Sequence, residues 1–289
     1  MKHSYTKYRS YRSEKKAFDD VPAGRGYLFT ESELDANGNI VSTLTYGEKG
    51  EKAETVRCTW DAQNRLLEET IQTHTDKQTQ KRIFEYRENP TVIVERTVYD
   101  DGGESRSESF YGANGKIERI DQYIDGDAPD TSEVFSYDET GRLIRHELRD
   151  CDGNVTTEDA LTYDGNIRRL VHREDGAESL DIHYINAAGQ VERAEHCDGD
   201  NVFAEERNEY DDKGRLIHTS AYELGQLFRE RTTAYDEAGN ITAEEVQDHR
   251  YRRAEKVIRR FDGEGRVSQE ERFSSFGGGE SYILRYEYE

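Results

Sequence analysis

A seven-residue motif that recurs about every 25 residues constrains this chain more than any other feature. The motif runs aromatic, Asp, two variable residues, Gly, a polar residue and an aliphatic, as in Tyr137 to Leu143, Tyr210 to Leu216 and Tyr235 to Ile241. Its glycine, or a substitute for it, stands at positions 38, 64, 90, 115, 141, 165, 189, 214, 239 and 265. Ten copies at one period predict a repeat protein, in which each unit is one supersecondary element that stacks on its neighbours.

The chemistry of the motif predicts a β-hairpin turn. Asp138 can accept a hydrogen bond from the backbone two residues on, and Gly141 can adopt the left-handed conformation that closes a type I turn with a bulge. The aromatic then faces the aliphatic across the two strands, so Tyr137 is expected opposite Leu143. The same roles are predicted in the other copies, which include a shortened one at Tyr163 and full ones with Tyr210, Asp211, Gly214, Leu216, Tyr235, Asp236, Gly239 and Ile241.

A second, looser turn lies halfway through most units, for instance at Asp125-Gly126, Asp152-Gly153 and Gly277 to Gly279. Each unit is therefore two antiparallel strands, and the chain is predicted to be an all-β meander of about twenty strands. Only 33% of the residues are hydrophobic, which is too few for two packed layers. We therefore expect a single-layered sheet that curls or spirals as strand twist accumulates. A wide closed barrel would use the same pattern.

The chain divides into a repeat domain at residues 34–289 and a basic, tyrosine-rich N-terminal segment and cap at 1–33. Residues 1–16 carry six Lys or Arg and one Glu, a net charge of +5. Two roles are open for them. They form either an arm that binds an acidic partner, or a cap in which Tyr5, Tyr8 and Tyr11 lie against the first strands of the acidic body.

The charge balance limits the partners and the location. Asp and Glu outnumber Lys and Arg by 62 to 40, which gives a formal net charge of -22 at pH 7. A surface of this sign repels a polyanion, so nucleic acid is disfavoured as a partner. No apolar stretch approaches the roughly 18 residues of a membrane helix, and the N-terminus has no stretch of signal-peptide type. We therefore expect no membrane partner and a cytoplasmic location.

The residues that usually carry catalysis or bind metals form no recognisable pattern. The sequence has no phosphate-binding glycine loop, no nucleophile elbow and no His-Glu-x-x-His pair. The three cysteines are too widely spaced for a metal clamp. His172 and His196 share a register with one strand between them, which places them roughly 9–10 Å apart and too far to share a zinc ion. The sequence therefore predicts a non-enzymatic protein without metal or cofactor.

The motif resembles that of the YD-repeat (RHS-repeat) family, whose units carry Tyr-Asp-x-x-Gly-Arg-Leu, as Tyr137 to Leu143 and Tyr210 to Leu216 do here. The resemblance covers about residues 34–267. It implies long β-sheet strips that wind into a hollow shell, and a structural role that often encloses or displays another polypeptide. Large toxin members end the shell with a self-cleaving segment before a toxin domain. This chain has no Asp-Pro pair, and we expect a short, stand-alone member without either part.

A column of arginines is the first candidate binding surface. Two residues after the unit aliphatic stand Arg119, Arg145, Arg169 and Arg193. Strand alternation predicts that they share the face of the tyrosine–leucine pairs. They form either an ion-pair ladder with the acidic residues two positions on, or a stripe that binds anions or carboxylates.

The acidity of the chain indicates a function. We expect a non-enzymatic protein-binding repeat protein, for example an immunity protein or chaperone that neutralises a basic bacterial toxin with a carboxylate-rich surface. The carboxylates expected to contact that partner are Glu205, Glu206, Asp211 and Asp212. The alternative is a carbohydrate- or cell-surface-binding module that uses exposed aromatic residues.

Overall fold

The computed structural model describes residues 6–15, 24–88, 90–124, 126–199, 201–275 and 280–289, and within these ranges it contains 22 β-strands and no helix. Tyr5, Asp125 and Gly277 to Gly279, which the sequence analysis assigned to the cap and to two turns, lie outside the described residues. The strands are β1 (Lys7–Glu14), β2 (Tyr27–Leu34), β3 (Ile40–Tyr46), β4 (Lys52–Trp60), β5 (Leu66–Thr73), β6 (Gln78–Arg87), β7 (Thr91–Tyr99), β8 (Glu104–Tyr111), β9 (Ile117–Tyr123), β10 (Thr131–Tyr137), β11 (Leu143–Asp150), β12 (Val155–Asp164), β13 (Ile167–Glu174), β14 (Ala177–Ile185), β15 (Val191–Asp198), β16 (Asn201–Tyr210), β17 (Leu216–Glu223), β18 (Gln226–Tyr235), β19 (Ile241–Asp248), β20 (Arg253–Phe261), β21 (Val267–Ser274) and β22 (Tyr282–Tyr288).

The strands form one antiparallel sheet that closes into a barrel. Each strand pairs with its neighbours in sequence, and β1 pairs with both β2 and β22. The seam with β22 runs from Tyr8 opposite Tyr288 to Glu14 opposite Tyr282. The all-β, antiparallel, single-layered part of the prediction is confirmed, whereas the open, curled sheet of about twenty strands is wrong. It is wrong because β1, which lies in the N-terminal segment outside the repeats, pairs with both edges that an open sheet would leave free.

The barrel is wide and thin-walled. Twenty-two strands at about 4.8 Å each give a circumference of roughly 106 Å, hence a backbone diameter of about 34 Å before strand tilt widens it. Few described hydrophobic residues are fully shielded, and they sit in the wall rather than in a central core: Val92, Val94, Tyr123, Ala194, Cys197, Ile283 and Leu284. The composition therefore suits a single wall with two hydrated faces.

The two ends of the barrel differ. The motif turns lie at one end, called here the motif rim, and the looser connections lie at the other, called the distal rim. The ends of the described chain also meet at the motif rim, where the backbone N–H of Thr6 donates to the carbonyl of Glu289 at 2.8 Å. Two connections of the distal rim, at 74–77 and 249–252, lack the glycine by which the looser turns were recognised.

The motif turns are held by the aspartate. Asp138 accepts hydrogen bonds from the backbone N–H groups of Thr140 and Arg142 at 2.9 and 2.8 Å, and from the Arg142 side chain at 2.8 Å. Gly141 has a φ of 80°, in the left-handed region that the turn requires. The Thr140 hydroxyl also donates to Asp138 at 2.7 Å, and this bond together with those from Arg142 holds the pKa of the Asp138 carboxyl well below its usual range.

Six of the motif turns are tied to the next hairpin through a tyrosine. Tyr137 pairs with Leu143 across the hairpin, as the turn chemistry predicts. The next tyrosine, Tyr163, donates its hydroxyl to the Leu143 carbonyl at 2.8 Å and carries the Arg142 guanidinium over its ring at 4.4 Å. The same hydroxyl-to-carbonyl bond, at 2.7–3.0 Å, joins Tyr86 to Leu66, Tyr137 to Ile117, Tyr210 to Val191, Tyr235 to Leu216 and Tyr288 to Val267. We call these tyrosines the tyrosine rung.

Candidate partner-binding surfaces

The predicted arginine column lies on the face opposite the tyrosine rung. In the β10–β11 pair, Tyr137 is opposite Leu143 and Ser136 is opposite Arg145, so Ile144 is an extra residue in β11. Because Ser136 and Tyr137 point to opposite faces, Arg145 lies across the sheet from the rung. The expectation of a shared face is therefore wrong, since simple alternation does not count the bulge beside the turn. Arg119, Arg145, Arg169 and Arg193 together define the arginine face.

Three of the four arginines are ion-paired along their own strands. Arg119 contacts Asp121 at 3.1 Å, and Asp121 is only 5% exposed. Arg145 contacts Glu147 at 2.7 Å and Arg193 contacts Glu195 at 3.3 Å. Arg169 pairs in register with Thr162 and forms no ion pair among the described residues. This geometry is that of the ion-pair ladder, although the arginine side chains are still 40–50% exposed.

The histidines lie on the rung face with separate carboxylate partners. His172 Nδ1 is 2.7 Å from Asp159, and His196 Nδ1 is 2.8 Å from Asp181. The hydrogen bond to Asp159 raises the pKa of His172. Among the described residues, no group of three or more His, Cys, Asp or Glu side chains is placed to hold a metal ion.

The four carboxylates predicted to contact a partner do not form one surface. Glu205 and Glu206 are consecutive in β16 and point to opposite faces. Glu205 pairs with Arg207. Asp211 is the aspartate of a motif turn, where hydrogen bonds from Arg215 lower its pKa, and Asp212 is exposed beside it. Strand alternation and the turn chemistry together separate the four.

Negative charge instead concentrates on part of the distal rim. Within the described residues, the six distal connections between β7 and β18 contain six aspartates and no Lys or Arg: Asp100, Asp101, Asp127, Asp130, Asp152 and Asp175. The five motif-rim connections between β8 and β17 contain four acidic and four basic residues. We call this part of the distal rim, with the strand residues that flank it, the acidic arc. Its sequence signal is the repeated Asp-Gly of the looser turns, in connections that contain no Lys or Arg.

The acidic arc also carries most of the exposed large hydrophobic side chains. Of the ten in the described ranges, it holds seven: Tyr99, Ile124, Val155, Val202, Phe203, Leu224 and Leu227. Leu224 is 79% exposed and Ile124 is 65% exposed. A groove of about 460 Å³ is lined by Val202, Phe203 and Tyr222 together with Glu205 and Arg207. Apolar and acidic groups are therefore combined at one end of the barrel.

Ion pairs also occur within the strands on both faces of the wall. On the rung face, Arg82 contacts Glu69 and Glu95, each at 2.8 Å. On the arginine face, Arg145 contacts Glu147 at 2.7 Å and Glu158 at 3.0 Å. Neither face, within the part of the chain that the structure describes, is a continuous apolar band.

The fold and its surfaces define a closed antiparallel β-barrel of repeated hairpins with an acidic arc on part of one rim. No family model matches the chain, and no curated protein matches it. A porin-like protein from Bacteroides uniformis is similar in structure at 11% identity and a TM-score of 0.35, over 100% of this chain and 98% of the other. A porin-like protein from Bacteroides vulgatus is similar at 9% identity and a TM-score of 0.28, over 81% and 94%. TcdB2-TccC3 without its hypervariable C-terminal region is similar at 12% identity and a TM-score of 0.40, over 89% of this chain and 16% of the other.

The expectation of a cytoplasmic location is corrected. The finding that overturns it is the closure of 22 antiparallel strands into one barrel. The expectation was based on the lack of long apolar runs, a criterion that recognises membrane helices and does not detect strands of alternating polarity. The described residues contain no helix that is long and apolar enough to cross a membrane.

Proposed function

We propose that this chain is a non-enzymatic binding protein that holds a basic protein, in the manner of an immunity protein or a chaperone for a basic toxin. The observation that carries the proposal is the uneven charge of the barrel. The arginines within the wall are largely engaged by neighbouring carboxylates, whereas the described connections of the acidic arc hold six aspartates and no basic residue. A basic partner is the ligand that such a surface attracts.

Closure of the sheet supports a preformed binding surface. Both edges of an open sheet are paired here through β1, so a partner cannot join by adding a strand. Binding must then use the rims, the outer wall or the lumen. Of these, the acidic arc combines the largest surplus of charge with exposed apolar groups.

The test is capture of proteins from a lysate of the cells that make this chain, at about 0.05 M and 0.5 M salt, with identification of what is retained. Strong screening at the higher salt should release a partner that is held by charge. One basic protein held at low salt and released at high salt is the expected result. Salt-independent binding of glycans, with no protein retained, would favour the carbohydrate alternative.

A matched pair of variants tests where the charge acts. Three exposed aspartates of the acidic arc are neutralised in one variant and three exposed acids of the motif rim in its control. These are Asp127→Asn, Asp152→Asn and Asp175→Asn against Glu139→Gln, Asp212→Asn and Glu237→Gln. The arc variant should weaken capture and flatten its salt dependence, while the control, with the same change in net charge, should bind more nearly as the original protein does. An equal loss of capture in both variants would show that binding depends on the total net charge and not on its position on the barrel.

A membrane pore is the second candidate, and closure of 22 strands into one barrel favours it. A lipid-facing wall needs an apolar band. Such a band would include the ion pairs of Arg82 if the rung face were outside, or those of Arg145 if the arginine face were outside. Flotation of the purified protein with liposomes, in the absence of detergent, separates the two candidates. Co-flotation that resists high salt would favour the pore.

A further inference from the structure

We propose that the acidic arc docks a basic amphipathic helix of the partner, with Phe203, Leu224 and Leu227 as its apolar anchors. This inference rests on the proposed function and names the part of the partner that is bound. Leu224 lies in the connection between β17 and β18, Phe203 near the start of β16 and Leu227 near the start of β18. The backbone N–H of Leu224 donates to the Phe203 carbonyl at 2.8 Å. Phe203 lines the groove of about 460 Å³ together with Tyr222 and Gly225, and Leu224 directly precedes Gly225.

The anchors form one apolar patch in an acidic setting. Phe203 is 43% exposed and stands near the His196 ring, with a centroid separation of 6.3 Å. Exposed Asp198 ends β15 beside it, and Glu223, which pairs with Arg250, directly precedes Leu224. The aspartates of the acidic arc lie on the connections to one side of this patch. An apolar patch next to such a row of carboxylates suits a ligand with an apolar stripe and flanking Lys or Arg.

The spacing of the arc favours a helix. Successive distal connections are two strands apart, which is about 9.6 Å, and two turns of an α-helix rise about 10.5 Å over seven residues. Apolar residues one heptad apart on a helix can therefore meet the apolar groups of neighbouring connections. Ile124, on the connection after β9, and Val155, at the start of β12, are further exposed apolar groups along the arc.

Other occupants suit this surface less well. A second copy of the chain would set the six described aspartates of one acidic arc against those of another, and anionic lipid or nucleic acid would be repelled in the same way. A β-strand has no free edge to extend, because the barrel is closed. A basic helix meets neither obstacle.

The experiment measures binding of a defined probe. The probe is a synthetic 21-residue amphipathic helix of Leu and Lys with its apolar residues on one face. Its control is a peptide of the same composition in which the residues are shuffled so that the helix has no apolar face. Binding is followed by fluorescence anisotropy at about 0.15 M salt, with a folded basic protein such as cytochrome c as a second probe of charge alone.

The protein variants are matched in chemistry and exposure. The test variant is Phe203→Ser, Leu224→Ser, Leu227→Ser, and the control is Leu67→Ser, Ile144→Ser, which removes exposed apolar groups near the motif rim. All five side chains are exposed, so both variants should fold, which circular dichroism and thermal melting will establish. The test variant should bind the amphipathic probe about tenfold or more weakly, as removal of central interface anchors does, and the control should bind it unchanged.

The outcomes separate the inference from the proposed function. Equal binding of the ordered and the shuffled peptide, or an unchanged affinity of the test variant for the ordered peptide, would overturn the helix-docking inference. The proposed function would still stand in that case if cytochrome c bound in a salt-sensitive way. Failure of the original protein to bind either peptide or the basic protein at low salt would count against both. Loss of affinity in the test variant alone supports the inference.

Discussion

The tyrosine rung allows a quantitative prediction about stability. Tyr86, Tyr137 and Tyr210 each donate a hydroxyl hydrogen bond at 2.8–2.9 Å to a carbonyl of the preceding unit. A bond of this kind contributes about 0.5–1.5 kcal/mol to stability. The three tyrosines lie on β6, β10 and β16, at least about 19 Å apart along the wall, so their contributions should add. The triple Tyr→Phe variant should therefore lose about 3 kcal/mol.

Urea unfolding followed by circular dichroism is the assay. With a slope of about 3 kcal/mol/M, the expected loss moves the midpoint down by roughly 1 M. The control is Tyr99→Phe with Tyr251→Phe, two exposed aromatics on the distal rim whose hydroxyls have no hydrogen-bond partner within the described ranges. A triple variant whose midpoint equals that of the control would refute the role assigned to the rung, because ring burial is the same in Phe and Tyr.

Three further predictions concern the turns and the seam. Gly141→Ala and Gly189→Ala, at φ of 80° and 83°, should each lower stability by about 1–2 kcal/mol in the same assay, because the left-handed region disfavours a Cβ; unchanged midpoints would contradict this. The lowered pKa of Asp138 and of the other motif aspartates means that their contribution to the free energy of unfolding is fully present above about pH 4 and is lost as the pH falls below it. Asp138→Asn should therefore make stability fall less steeply with decreasing pH in this acid range. An identical acid range in the variant and the original protein would count against the argument. Deletion of residues 1–15 removes β1 and frees the edges of β2 and β22, and light scattering after size-exclusion chromatography should then find oligomers, whereas a well-folded monomer would show that the seam is dispensable.

The local structure could be predicted from sequence because it depends on chemistry within a few residues. Asp138, Gly141 and the opposition of Tyr137 and Leu143 follow from the turn that the motif encodes. The all-β, antiparallel meander follows from repeating that turn. The hydroxyl bond from each tyrosine to the preceding unit was not predicted, since it links residues about 20 positions apart through the curvature of the wall.

Closure and the placement of the surfaces needed information that the repeat does not contain. An open strip and a barrel share one pattern of alternation, and the strand that decides between them, β1, lies outside the repeats. The bulge at Ile144 shifts the register by one residue, which moves Arg145 to the opposite face. The separation of Glu205 from Glu206 was predictable from alternation. The acidic arc is also encoded in the sequence, because its looser turns contain Asp without Lys or Arg whereas the motif turns beside them contain both signs of charge.

The even number of strands has a consequence for how such a barrel can change size. An all-antiparallel ring closes only with an even count, and each unit of this chain contributes one hairpin. Duplication or loss of a whole unit therefore preserves closure, whereas gain or loss of one strand would force two parallel neighbours. Each unit alters the circumference by about 9.6 Å and the diameter by about 3 Å. The diameter of the barrel can therefore change only in increments of about 3 Å. Each added unit also contributes one connection to the motif rim and one to the distal rim.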